Sequence, residues 1–321
     1  LFFERALATI EVAELDDADR RYRVLHGAGQ ASVLRLDTSG FTSSFVGAAE
    51  IARDQGWDQR FVESVIAATQ LADIGGLIDQ RVETLLDDAR PLAADDRQLA
   101  GLLCGASAAA YTRGDLAAAA ANAREALDVA RRTDDIDAIA RAQWTVCTYR
   151  FGADPPDVVA EDLAAFEALP GHAEGRGFGS MYGSPEQVLE GLRCLASFQR
   201  GDRAGVERYL ASVTDRPGML RRFNVPYWGA VLASLDGRLD DQMALADEVL
   251  ARFPDYAISH VCHLAHRYDA TLEREGWAAA RPIGDLTGEI MGAAAPTILA
   301  AGAAERARHG ELDEAGAAAT D

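Results

Sequence analysis

Not one of the 321 residues is a lysine. That absence removes a Walker-type phosphate lysine, a Schiff-base lysine and a pyridoxal site together, because each needs an ε-amine. The glycine-rich stretch GRGFGSMYG at 175–183 is therefore not a P-loop, and no cofactor is expected. All 31 cationic side chains other than histidine are arginine, set against 51 acidic ones. The net charge of −20 repels a nucleic-acid duplex, so direct nucleic-acid binding is not expected. Arginine in place of lysine also accompanies GC-rich genomes. Cysteine is sparse: Cys104, Cys147, Cys194 and Cys262 lie 43, 47 and 68 residues apart, without the paired spacing of zinc modules. They read as buried small residues in a reducing, cytoplasmic compartment. No stretch reaches the roughly 18 uncharged apolar residues of a spanning helix, the nearest (290–304) being broken by Pro296, so no membrane partner is expected. The start LFFERALATIE lacks the basic-then-apolar order of a signal peptide, and a chain beginning without methionine is expected to be a piece of something longer. Isoleucine and threonine are scarce while alanine dominates, which favours helices over a sheet.

What the chain does have is a ruler. Gly40, Gly76, Gly114, Gly152, Gly201, Gly237, Gly276 and Gly310 are separated by 36, 38, 38, 49, 36, 39 and 34 residues. A period in the thirties, with one turn residue per period between apolar helical segments, predicts stacked helix hairpins that bury their faces against neighbours. The expected fold is all-α: a right-handed superhelical solenoid of about eight antiparallel hairpins, forming one domain over 1–321. The clearest unit runs from about 98 to 134, a small-residue helix, an RGD turn and a second helix ending in arginines, which suit a helix C-terminus. Counting from Gly114, Ala119, Ala123, Ala126 and Leu127 fall where two helices must approach closely. In GRLDDQMALADEVLARFPD, Gly237 opens a unit and Pro254 closes it. These offsets resemble the tetratricopeptide motif. At Gly76 the match drifts, with Arg81 where a small residue is expected. The 49-residue step after Gly152 holds a glycine-rich insertion at 170–185, expected to be a long loop between repeats.

A wider likeness rests on three stretches: LIDQRVETLLDDARPL through AAAYTRGD, then ALDVARRTDDIDAIARAQWTV, then RGDRAGVERYLASV through PYWGAVLASLDGRLDDQMALADEVL. Together they resemble the helical-repeat region of large actinobacterial signalling ATPases of the STAND class, regulators with a nucleotide-binding module upstream and a LuxR-type DNA-binding domain downstream. Related proteins carry a cyclase domain instead. The chain has neither a P-loop nor a helix-turn-helix, so the likeness implies a non-catalytic sensor or regulatory arm. A free-standing scaffold joining protein partners is the alternative.

Three chemistries are open to these side chains. SHVCHLAHRY sets His260, His263 and His266 at i, i+3 steps on one helix face, where neutral imidazoles either bind zinc or nickel in a metal-dependent enzyme or simply pack. No fourth ligand is specified, so no metal is assigned. Acidic pairs such as LDDAR and RTDD fall at helix ends, where aspartate caps amides rather than doing acid–base work. A G-x-S-x-G elbow is lacking, so no catalytic residue is assigned and Ser180 reads as loop. The remaining expectation is a groove. In tetratricopeptide-like stacks the inward positions of each first helix lie about 2, 3, 6, 10 and 13 residues before the turn glycine. That resemblance selects Tyr111, Tyr149, Arg150, Phe198, Gln199, Asn224, Tyr227, His263, His266 and Arg274. Shifted by one residue, the same aromatics become core knobs. Facing inward, they suit a protein or peptide segment, or a small polar effector, with a second copy of the chain as a further partner.

Overall fold

The computed structural model describes residues 17–35, 37–70, 80–150, 185–214 and 219–291, together with residues 78, 161, 163–165, 167 and 168. The described residues fall into two compact units that part between Gly201 and Asp202, with 112–114 grouped into the second. The architecture is all-helical, with no strand among the described residues. The first unit holds α1 (Ala18–Arg35), α2 (Thr38–Asp54), α3 (Asp58–Thr69), α4 (Gln80–Ala89), α5 (Asp96–Thr112), α6 (Leu116–Ala130), α7 (Ile136–Arg150) and α8 (Pro185–Gln199). A single 3-10 turn, Arg90–Leu92, follows α4. The second unit holds α9 (Arg203–Thr214), α10 (Met219–Leu235), α11 (Leu239–Arg252), α12 (Ala257–Glu275) and α13 (Trp277–Met291).

Successive helices pack as hairpins: α1 on α2, α3 on α4, α10 on α11 and α12 on α13, while α2–α3, α6–α7, α9–α10 and α11–α12 join one hairpin to the next. The α5–α6 hairpin has the small-residue seam expected of it. Ala119, Ala123 and Ala126 are fully buried, the latter two in one cluster with Leu103 and Cys104, and the Ser107 hydroxyl donates to the Ala119 carbonyl at 2.7 Å.

Aspartates start the helices. Asp17, Asp37, Asp95, Asp115, Asp135 and Asp202 each accept from backbone N–H groups of the first turn at 2.8–3.2 Å, satisfying donors the helix itself leaves open. Glycines end them. Gly114, Gly201, Gly237 and Gly276 have φ of +78°, +70°, +68° and +83°, the left-handed region that only glycine enters cheaply. Gly56, outside the period, does the same at +67° between α2 and α3. Gly40 keeps the period without making a turn: it lies in the first turn of α2, its N–H held by Asp37 at 2.8 Å. Gly76, Gly152, Gly310 and the 170–184 stretch lie outside the described residues.

Arginine staples the repeats. Arg81–Glu50, Arg53–Asp88, Arg90–Glu125, Arg203–Asp236 and Arg274–Asp240 pair residues 31 to 35 positions apart, tying helices of successive hairpins. Arg132 grips Asp96 through two nitrogens at 2.8 and 2.9 Å and closes the α5–α6 hairpin at its open end. Arg81, at the drifted position, is thus an exposed rung.

Candidate functional site

Three first helices of successive hairpins in the first unit surround a cleft of about 460 Å³. On α3 the faces separate cleanly. Phe61, Val62, Val65 and Ala68 are buried. Gln59, Glu63, Ile66, Ala67 and Gln70, related by helical steps of four, three, one and three, line the cleft. Helix α5 contributes Gln98, Gly101 and Cys104, and α7 contributes Asp137, Ala138 and Arg141. The α3 and α5 backbones approach closely because α5 is bare there. A Cβ added at Gly101 would sit 3.1 Å from Ile66, and one at Gly105 would sit 2.6 Å from Thr69 Cγ2 and 3.0 Å from Leu86.

The polar groups of the cleft are held from below. Asp95 caps α5 through the Gln98 amide at 2.8 Å, while the Gln98 side chain accepts from the Ala94 N–H at 2.9 Å. Arg97 Nε pairs with Asp135 Oδ2 at 2.8 Å, and Asp135 Oδ1 caps α7, so one ion pair joins the starts of two cleft helices. Arg141 is only 9% exposed, and its guanidinium donates to Thr69 Oγ1 at 3.1 Å. Thr69 Oγ1 in turn donates to the Ile66 carbonyl at 2.8 Å. Gln59 donates to Glu63 at 3.3 Å. Asp137 Oδ1 is enclosed and receives no hydrogen bond. Size and lining suit a small polar ligand: the volume lies within the few hundred Å³ of small-molecule sites, with a mixed apolar and hydrogen-bonding wall.

No known protein family, curated protein or solved structure matches the chain.

The groove positions selected from the sequence fall in both units. In the first, Tyr111 and Tyr149 meet with ring centroids 5.0 Å apart, and Tyr149 is 1% exposed. Burial raises the pKa of the Tyr111 hydroxyl. Phe198 is an exposed apolar ring at 39%, and Gln199 beside it is half-buried. The side chain of Arg150 lies outside the described residues. In the second unit Tyr227 of α10 meets His266 of α12 edge to face at 6.3 Å. Asn224 donates to the Tyr209 hydroxyl at 2.9 Å, and Arg274 forms its rung with Asp240.

The three helix-mates of 260–266 have separate surroundings. His260 Nε2 lies 2.6 Å from the Pro254 carbonyl, and His263 Nδ1 is 3.2 Å from Asp247 without hydrogen-bond alignment. His266 faces Gln242, which is wholly buried. The Gln242 amide nitrogen reaches His266 Nδ1 at 3.2 Å, the His266 carbonyl at 3.2 Å and Asp269 Oδ2 at 3.0 Å. Reversing that amide would set its oxygen against a carboxylate and a carbonyl, so the orientation is fixed. Ser234 completes the network by donating to Asp269 at 2.6 Å. Burial lowers the pKa of both His263 and His266, which favours the neutral imidazole. Among the described residues no group of three or more His, Cys, Asp or Glu side chains is placed to hold a metal ion. No helix there is long and apolar enough to cross a membrane.

The cleft residues were passed over in the sequence although a signal for some existed. Gly101 and Cys104 stand 13 and 10 residues before Gly114, the same offsets that select Asn224 with Tyr227 and His263 with His266. Being small, they carried no chemistry to draw attention. Arg141 stands 11 before Gly152, one place off the pattern.

Proposed function

We propose that this chain is a non-catalytic helical-repeat regulatory module that binds a small ligand or a peptide segment and passes that event to other domains of a multidomain signalling or transcriptional regulator. The observation that carries this reading is the cleft among α3, α5 and α7, lined by Gln98, Glu63 and a buried Arg141. Fixed hydrogen-bonding groups on a rigid helical frame discriminate ligands by the cost of leaving such groups unpaired. The aspartates bordering the cleft, Asp95 and Asp135, are engaged in capping, which favours recognition over acid–base chemistry. The hairpin architecture supports the likeness to repeat regions of LuxR-type and cyclase-linked regulators, and a cytoplasmic location belongs to the same reading. The test is a thermal-shift screen of metabolites and short peptides against the chain and its Ala67→Trp variant, whose indole fills the cleft. The reading expects a stabilising ligand whose effect disappears in the variant. A panel that shifts both proteins equally, or neither, removes it.

A further inference from the structure

The charge around the cleft is uneven, and its unevenness defines a ligand. Glu63, Asp95 and Asp137 line it against Arg97 and Arg141. Arg97 is answered by Asp135 just outside, which removes its charge from the balance. Arg141 is directed at Thr69. The N-termini of α5 and α7 would ordinarily attract an anion. Here both are already met by aspartate, Asp95 on one and Asp135 on the other. An anionic ligand entering the cleft would therefore confront carboxylates with the helix ends occupied.

Asp137 adds the deciding feature. Its N–H is taken by Asp135 at 2.9 Å, and its Oδ1 is shut away from water with no donor. A carboxyl oxygen that is enclosed and unsatisfied is costly to hold, and a donor cation approaching from the open side of the group offsets that cost. We propose that the cleft takes a small organic cation, an alkylammonium or guanidinium compound, whose charged nitrogen is held by Asp137 and Glu63 and whose apolar stem lies along Ile66, Ala67 and Ala138. This rests on the cleft being the binding site and names the class of its ligand. A volume of about 460 Å³ admits a compound of metabolite size.

The experiment is isothermal titration calorimetry on the full chain in 0.15 M salt, which screens diffuse attraction to a protein of net charge −20. Agmatine and putrescine are the cationic probes, and 1,6-hexanediol and glutarate the neutral and anionic ones. The inference expects saturable one-to-one binding of a cationic probe, abolished by Ala67→Trp. Asp137→Asn should weaken it roughly tenfold or more, the worth of a hydrogen bond to a charged group, while Asp128→Asn on the exposed face of α6 should leave it unchanged. Gln59→Trp serves as the obstruction if Ala67→Trp loses helicity by circular dichroism. Equal weakening by Asp137→Asn and Asp128→Asn overturns the inference, as does absence of saturable binding by both cations. If hexanediol or glutarate binds instead and the obstruction abolishes it, the cation class falls while the cleft stands. If no metabolite or peptide responds to the obstruction, both fall together.

Discussion

Replacing Gly105 by alanine sets two opposite effects against each other, and the geometry decides which wins. Alanine in place of a mid-helix glycine gains about 1 kcal/mol of helix propensity. The new methyl, however, would stand 2.6 Å from Thr69 Cγ2, 3.0 Å from Leu86 Cδ2 and 3.1 Å from Thr69 Cβ. Overpacking of this kind costs about 1–3 kcal/mol where the neighbours can yield. Thr69 cannot yield freely, since its hydroxyl both donates to Ile66 and accepts from Arg141. Turning it away forfeits a charge-assisted bond of about 1.5–3 kcal/mol. Both costs set against the propensity gain leave a net loss of about 1.5–5 kcal/mol, read as a lower urea midpoint by far-UV circular dichroism. The same change at Gly101 meets only the Ile66 side chain at 3.1–3.3 Å, so cost and propensity gain should nearly cancel, leaving stability within about 0.5 kcal/mol of wild type. Adding Thr69→Ser to Gly105→Ala removes the nearest carbon and keeps the hydroxyl, and should restore part of the loss in a double-mutant cycle. A Gly105→Ala protein as stable as wild type would refute the close approach of α3 and α5.

Four further outcomes are expected. Arg203, then Arg238, holds the Asp236 carboxyl at about 2 against an unfolded 3.8, so its contribution is complete above 3.8 and is lost as the pH falls towards 2. In thermal melts across that interval, Asp236→Asn should flatten the slope. Burial first, and His263 after it, depress His266 below 6.5 despite the opposing Asp269. Stability from its neutral form is therefore present above 6.5 and declines as the pH drops through 6.5 towards the native value, an effect that His266→Gln should remove and an NMR titration of the ring should locate. Gln242→Leu strips a buried donor from Asp269 and His266 and should cost about 1–3 kcal/mol in urea. Gly237→Ala meets no atom within 4 Å at φ +68°, so any loss, about 1–2 kcal/mol, is backbone strain alone, and Gly237→Asn should lose less.

Much of the hairpin order was legible because its signals are local. A glycine that must adopt positive φ cannot be disguised, and Gly114, Gly201, Gly237 and Gly276 each mark the end of a first helix. Gly40 misleads for an equally local reason, since Asp37 three residues earlier turns its neighbourhood into a helix start. Gly56 escaped because it joins hairpins rather than closing one. The cleft was harder. The burial of Arg141 depends on Thr69, 72 residues away, and the depth of the cleft depends on what Gly101 lacks. Aromatic residues attracted attention instead, yet Tyr149 is spent on packing at 1% exposure.

The arginine rungs have a mechanical consequence. Those joining neighbouring hairpins each span 31 to 35 residues of chain, so within either unit they measure the length that one repeat releases when it unfolds under tension. At about 3.6 Å per extended residue that is a step of about 110–130 Å in contour length. Stretched between two beads, a unit would lengthen in increments of that size, one for each repeat that the charge pairs along its flank mark out.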